Sequence, residues 1–453
     1  MEGDLLNKKA FLKKMIFIGF PMVLQSAISN LLNFIDNIMV GGLGTVAIEA
    51  VSIVNQIFFV YICVLCGTIS GAGVFGTQFF GKKDYEGVKK IFQIKWIFSI
   101  FIILCTILVF YLLKSYIVDL YLHKCNAERR LEILNAVSLY LPFIILSAIP
   151  FGIRKIYAST LNESGNTKIT MYSSVVAVIS NTILNYSLIY GKFGLPVLGI
   201  RGAAIATFIS RCIEFFIVII FSKQFSFFKS IYSNFVVTRE YFFKITKNIT
   251  PLILNTFLWS YSFSIVIQIY SLKNIDNIAI MSISTAFSYI FIDLLVAVGS
   301  TAEIILGHEL GKNNFNLANI LAKRILFVTF SIALFFSFIM YFYSFYFPDF
   351  YNVNAEIKNM ATKCIQSFAV TFVFTTFVNT SFHILRAGGK TVLTTLFDSV
   401  FLWGIMMPVQ FFLVKFTDFE IYKVYFFVLL LQIFQGMIGY ILIYKKVWIK
   451  NLT

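Results

Sequence analysis

The sequence predicts an all-α membrane protein of about twelve transmembrane helices, arranged as two homologous six-helix lobes around a central cleft. Three observations predict it: an apolar composition, apolar runs of membrane-crossing length along the whole chain, and an internal repeat. Of the 453 residues, 59% are hydrophobic, 13% are charged and 54 are Phe. A soluble chain of this length needs more charge to cover its surface, so the apolar excess faces lipid. Crossing ~30 Å of hydrocarbon takes roughly 20 residues of helix, and no stretch is long or polar enough for a separate soluble domain.

Apolar runs between polar breaks place helices at 15–40, 47–72, 91–113, 131–153, 168–190, 198–221, 248–272, 277–306, 321–347, 358–383, 391–414 and 421–444. The first run follows a short charged segment, Met1 to Lys14, and no small-residue cleavage site comes after it. It therefore reads as a retained helix rather than a signal peptide. Twelve spans put both termini on one side. Lys8, Lys9, Lys13 and Lys14 assign that side to the cytoplasm of a plasma or inner membrane. Lys and Arg favour the tails and even-numbered loops, as this requires, and the loop at 40–47 has none.

The repeat appears on shifting the chain by 230 residues. Pro21 then falls on Pro251, Ser52-Ile53 on Ser282-Ile283, Ser70 on Ser300, and Gly81-Lys82 on Gly311-Lys312. Each half holds an even number of spans, so both have the same orientation, related by an axis along the membrane normal. The expected division is an N-lobe at 1–221, a cytoplasmic linker at 222–247 and a C-lobe at 248–453. Such an architecture belongs to transporters, with a site near the midplane and rocking lobes.

Other classes fall away. A net charge of +16 raises nucleic acid, but the basic residues sit at helix ends and form no groove-sized patch. The Gly-Lys motifs lack the frame of a phosphate loop, which leaves an ion gradient rather than ATP as the energy source. His123, His308 and His383 lie in or near loops without metal-ligand spacing. Cys63 and Cys66 have redox spacing but no supporting pair, and read as helix packing. The chain reads as no enzyme and as needing no resident cofactor.

Six motifs stand out along the chain: NFIDNIMVGGLG (Asn33 to Gly44), GTQFFGKKD (Gly76 to Asp84) and its second copy GHELGKNN (Gly307 to Asn314). ESGNTKITM (Glu163 to Met171), LRAGGKTVL (Leu385 to Leu393) and LGIRGAAIAT (Leu198 to Thr207) complete the set. Together they resemble the motifs of the multidrug and toxic compound extrusion (MATE) family. The resemblance implies proton- or sodium-coupled efflux of amphipathic, often cationic, drugs. It places the N-lobe cation site on Asp36, Asn181, Asn185 and Thr207. Many members carry Asp where this chain has Asn185, which leaves Asp36 as the one titratable group there and tilts the reading toward protons.

Asp36 stands out without the family. A carboxylate inside an apolar helix costs ~2.5–3.5 kcal/mol at the helix centre and less toward an end, so it is paired, hydrated, used, or capping the following loop. Asn33 shares its helical face. Asn181 and Asn185, four apart, share one face and read either as ligands or as interhelical glue. In the C-lobe, Thr256 stands where several branches carry Glu. Asp293 and Asp398 are the remaining membrane acids and secondary candidates, and Asn255, Ser260, Ser262 and Gln268 are candidate partners for Asp293. Glu303 and Glu309 are expected to be solvated or paired, and Glu214 to pair with Arg211 three residues earlier. Because the clearest buried charges are acidic, cationic or neutral cargo is favoured over the alternative, a flippase for a lipid-linked saccharide. The expected partners are a small organic substrate and membrane lipid, with no nucleic acid, no obligate protein partner and no metal beyond sodium at the coupling site.

Overall fold

A computed structural model of the chain describes residues 3–122, 127–231, 237–274, 276–351 and 353–453. Twelve helices are long and apolar enough to cross a membrane, and the described residues contain no strand. They are α1 (Lys8–Gly41), α2 (Thr45–Lys82), α3 (Tyr85–Leu122), α4 (Ala127–Glu163), α5 (Thr167–Tyr190), α6 (Gly199–Ser222), α7 (Arg239–Ser271), α8 (Asp276–Gly311), α9 (Phe315–Tyr343), α10 (Ala355–Ala387), α11 (Thr391–Phe416) and α12 (Ile421–Tyr444). Large apolar side chains such as Phe101, Phe327 and Phe338 stand exposed. In water they would form costly patches, whereas on membrane spans they meet hydrocarbon. His123 and Cys125 lie outside the described residues.

Several helices outrun their apolar segments, because a helix needs no apolar side chain to propagate and stops only where its backbone is turned. For α2 the stop is Lys83 in the left-handed region (φ 60°), where the Asp84 N–H returns to the Phe79 carbonyl at 3.0 Å. For α8 it is Asn313 (φ 61°), with the Asn314 N–H on the Glu309 carbonyl at 2.9 Å. These two helix-ending turns stand 230 residues apart, so the repeat is written in the backbone as well as in the letters. The starts of α5 and α11 match in the same way. Gly165 (φ 86°) and Gly389 (φ 69°) precede them, offset by 224 residues.

The chain forms two compact units. The first comprises Phe20–Gly76 and Tyr85–Phe243. Within it α6 packs along α4 and α5, and α3 along α4. Its interior holds charge pairs that composition alone hides. Lys95 of α3, fully buried, reaches Glu163 of α4 at 2.5 Å. Gly73 and Gly76 of α2 make room for that carboxylate, since a Cβ at Gly73 would stand 2.8 Å from Glu163 Oε1. Glu214 does not pair with Arg211. Arg154 of α4 faces it across the α4–α6 contact at 3.0 Å, and the Ser174 hydroxyl donates to it at 2.8 Å. Arg211 turns instead to Ser147 Oγ at 2.8 Å and lies over the rings of Phe58 and Phe151. Buried charge in this unit is thus basic as well as acidic, and Lys95 and Arg154 are each neutralised by a partner, the condition under which such groups are tolerated.

The second unit comprises Met1–Gly19, Thr77–Asp84 and Lys244–Thr453. Its central helix is α10, flanked by α8, α9 and α12. The ends of α2 and α8 cross through glycines. A Cβ at Gly81 would overlap the His308 carbonyl, and one at Gly311 would overlap the Gln78 carbonyl. The contact is reciprocal under the 230-residue shift. Gln78 also ties in the tail: its amide donates to the Ala387 carbonyl at 2.8 Å and the Lys450 carbonyl at 3.2 Å, and its oxygen accepts from the Leu452 N–H at 2.7 Å.

Candidate functional site

Pairs of parallel helices carry the polar groups. In the first unit α1 and α5 are joined at three heights. Gln25 Nε2 donates to Ser174 Oγ at 3.0 Å, Asn185 Nδ2 to Asp36 Oδ1 at 2.5 Å, and Tyr190 Oη to the Met39 carbonyl at 2.8 Å. The offset stays near 149 residues, so the two helices run in the same direction. That is what alternating spans require of the first and the fifth.

At the middle height the groups form a donor chain. Asn185 gives one hydrogen to Asp36 and one to Asn181 Oδ1 at 2.9 Å, and Asn181 Nδ2 donates to Ser210 Oγ at 3.3 Å. Ser210 returns its hydroxyl to the Thr207 carbonyl at 3.0 Å. The structure therefore brings Asp36, Asn181 and Asn185 into one side-chain cluster, which Thr207 joins through its backbone. The Asn33 side chain lies outside the described residues. Asn181 and Asn185 are each 1% exposed, and Asn185 Oδ1 is buried without a partner. A buried amide oxygen left unpaired costs ~1–3 kcal/mol, so this oxygen beside a carboxylate is an acceptor in want of a donor or a cation. Sequence reasoning missed Ser210. Its signal was its place three residues after Thr207, on the same face of α6.

In the second unit α7 and α11 are joined the same way, at an offset near 144. Thr395 Oγ1 donates to the Pro251 carbonyl at 2.8 Å, Trp403 Nε1 to the Leu258 carbonyl at 3.2 Å, and Gln410 Nε2 to the Val266 carbonyl at 3.1 Å. Among them Asn255 Nδ2 meets Asp398 Oδ2 at 2.8 Å and Ser399 Oγ at 2.7 Å. Asn255 thus partners Asp398, where the sequence had offered it to Asp293. Asp293 is half-buried on α8, one turn beyond Tyr289. Asp398 sits in a π-helical stretch, Leu396–Val400, followed by a second, Leu402–Met406. The wide turns end just before Pro408, whose ring cannot accept a normal α-turn behind it.

By the repeat, Asn255 corresponds to Gln25 and Asp398 to Ser174, so Asp398 is not the counterpart of Asp36. Within the first unit, Ser174 and the Asn185 that holds Asp36 stand eleven residues apart on α5, roughly 16 Å along a helix.

Comparison with known proteins bears on the fold and the family. The MatE family model matches residues 21–187 and again 251–412, so its two copies begin on the paired prolines. A probable multidrug resistance protein NorM of Bacillus cereus is 24% identical over 414 residues, covering 90% of this chain and 89% of that one. A protein of the same description from Photorhabdus laumondii is 32% identical over 200 residues, 43% of this chain and 42% of its own. Among solved structures, a Vibrio cholerae MATE transporter in the bent form superposes with a TM-score of 0.86 at 17% identity, covering 96% of each chain. A Pyrococcus furiosus transporter of the MOP superfamily, described as having a binding pocket of reversed polarity, superposes at 0.84 with 16% identity, over 96% of this chain and 95% of that one. With the family model matched over most of its length and the helical architecture to go with it, the chain belongs to the MATE family of transporters.

Proposed function

We propose that the protein exports amphipathic, cationic organic compounds in exchange for an inward-moving cation, a proton in preference to sodium. The observation that carries this is Asp36 in an apolar helix, held by Asn185 beside an amide oxygen that has no partner. A carboxylate and a free acceptor form a small oxygen-lined site. With one acid rather than two, it favours a proton over a hard metal ion, which gains from each added negative ligand. Uptake of a cation discharges Asp36, and its release restores the charge. Discharge alters what α1 gains from α5, since a neutral carboxyl accepts a weaker hydrogen bond from Asn185 than an ionised one. That difference is the coupling. The reading includes a cell membrane location with both termini in the cytoplasm, a carrier without a resident cofactor, and cargo taken up by alternating access of two lobes. A saccharide-lipid flippase fits less well: the buried Lys95 and Arg154 are neutralised by Glu163 and Glu214, and Arg211 is turned to Ser147 and the rings of Phe58 and Phe151, which leaves no cluster of cations for a pyrophosphate among the described residues of this unit.

The test is efflux of a fluorescent organic cation from vesicles with proton and sodium gradients imposed separately. The proton gradient is expected to drive export. Asp36→Asn is expected to lower it by at least about tenfold, the loss of ~1.4 kcal/mol or more of coupling, at undiminished membrane yield. Wild-type efflux from well-expressed Asp36→Asn would sink the proposal.

A further inference from the structure

Near one end of the second unit α8 and α10 cross closely. Gly299 permits the approach, since a Cβ there would overlap the imidazole of His383. One turn further along α8, Glu303 Oε2 lies 3.1 Å from His383 Nδ1. Arg386 Nε stands 3.5 Å from the other oxygen of the same carboxylate. One turn before His383, Asn379 Oδ1 is buried with no hydrogen-bond partner. That oxygen and His383 Nε2 both come within 3 Å of the point a Gly299 Cβ would occupy, at 2.9 and 2.7 Å. His383 itself is only 4% exposed. The sequence had set His383 near a loop and Glu303 among solvated or paired acids; the structure buries both and joins them.

We infer that Glu303, His383 and Asn379 form a proton-binding site in the second unit, separate from Asp36. The argument is one of donors and acceptors. A neutral imidazole donating from Nδ1 to Glu303 leaves Nε2 as an acceptor, and then Asn379 Oδ1 has nothing to receive. A protonated imidazole donates from both nitrogens, and the idle oxygen, which makes no hydrogen bond as it stands, is the nearby acceptor that a turn of the Asn379 amide would bring to the second N–H. Uptake of one proton at Nε2 therefore completes the site, and its loss empties it. A metal cation is the wrong occupant, because the Arg386 guanidinium, with Nε 3.5 Å from the second oxygen of Glu303, already brings positive charge to the carboxylate. The charged groups that act on the imidazole are Glu303 from α8 and Arg386 from its own helix. Arg324 of α9 is turned to the Leu5 carbonyl, and Lys14 of α1 and Lys312 both serve Glu309. From α12, Gly439 is what packs on this stretch of α10, at Ser381. As a coupling site this deepens the proton-driven reading and rests on it; as a proton-binding site it stands alone.

Two experiments separate those claims. In the purified full-length protein labelled at its three histidines, the His383 nitrogen resonances are assigned by their loss in His383→Gln. They are expected to titrate between about pH 5 and 9, and in Glu303→Gln the midpoint is expected to move by about one unit or more. Should His383→Gln not fold, replacing His123 and His308 leaves the His383 signals alone in the spectrum. A His383 that holds one state across that range overturns the inference, whether or not the protein proves to be an exporter. In vesicles, His383→Asn keeps an amide hydrogen where Nδ1–H stood but has no titrating proton. It is expected to retain efflux with one limb of the pH profile lost or displaced by about one pH unit or more. An unchanged profile beside an inactive Asp36→Asn rejects the coupling role and leaves the export reading intact.

Discussion

A carboxylate survives in hydrocarbon only where something holds it, and Asp36 and Asp398 are held by the same device: an amide from a neighbouring parallel helix. The amide is what differs in use. Asn255 spends its donors on Asp398 and Ser399, whereas Asn185 keeps an oxygen in reserve. Converting that reserve to a second charge tests its purpose. Asn185→Asp is expected to make efflux respond to sodium, with stimulation of roughly fivefold or more where the wild type shows little, as a sodium titration of vesicle transport will record. No sodium response in a well-folded Asn185→Asp would mean the orphan oxygen does not face the ion. Asp36 was legible in the sequence because one charged residue in an apolar run is an anomaly by itself. Asn181 and Asn185 were legible as a pair because helical spacing puts them on one face. The partners of Asp398 and Glu214 were not. A polar side chain in a span announces that it needs a partner and says nothing about which helix brings it.

At the scale of elements, the crossing of α2 and α8 makes the sharpest demand on residue type. Ala in place of Gly within a helix normally gains up to about 1 kcal/mol. At Gly81 and Gly311 the added methyl would overlap a backbone carbonyl, which cannot swing aside as a side chain would. Gly81→Ala and Gly311→Ala are therefore expected to destabilise by similar amounts, ~1–3 kcal/mol each. The double variant should cost less than the sum, because one displacement of the two helix ends relieves both overlaps. Melting temperatures in detergent measure all three; a stabilised single variant would show that the crossing is looser than drawn. The sequence offered these glycines as the start of a shared Gly-Lys motif, and their pairing is visible only once both helix ends are placed. The π-helical turns around Asp398 were also out of reach, since Pro408 marks a disturbed turn but not whether it kinks or widens.

At the scale of the molecule, the number and order of spans followed from lipid thickness and loop charge, and the parallel pairing of α1 with α5 and of α7 with α11 agrees with alternating direction. The orientation remains to be measured. Single cysteines placed at 81–90 and in the linker are expected to resist an impermeant thiol reagent in intact cells, while those at 41–46 react; labelling of the linker from outside would invert the assignment. Hydrophobic periodicity shows a helix's buried face, not what covers it, so the sequence did not reveal that Met1–Gly19 and Thr77–Asp84 pack with residues after 244. That arrangement has a consequence during synthesis. A ribosome adds about 5–20 residues per second, so the beginning of α1 and the end of α2 wait on the order of ten seconds or longer before the helices they pack against exist. Over that interval the bare glycine face of α2, and Lys14 without Glu309, are left to lipid, water and the insertion machinery. The most vulnerable form of this protein is therefore the half-made chain, and a ribosome stalled near the linker would present it to the cell's membrane quality control.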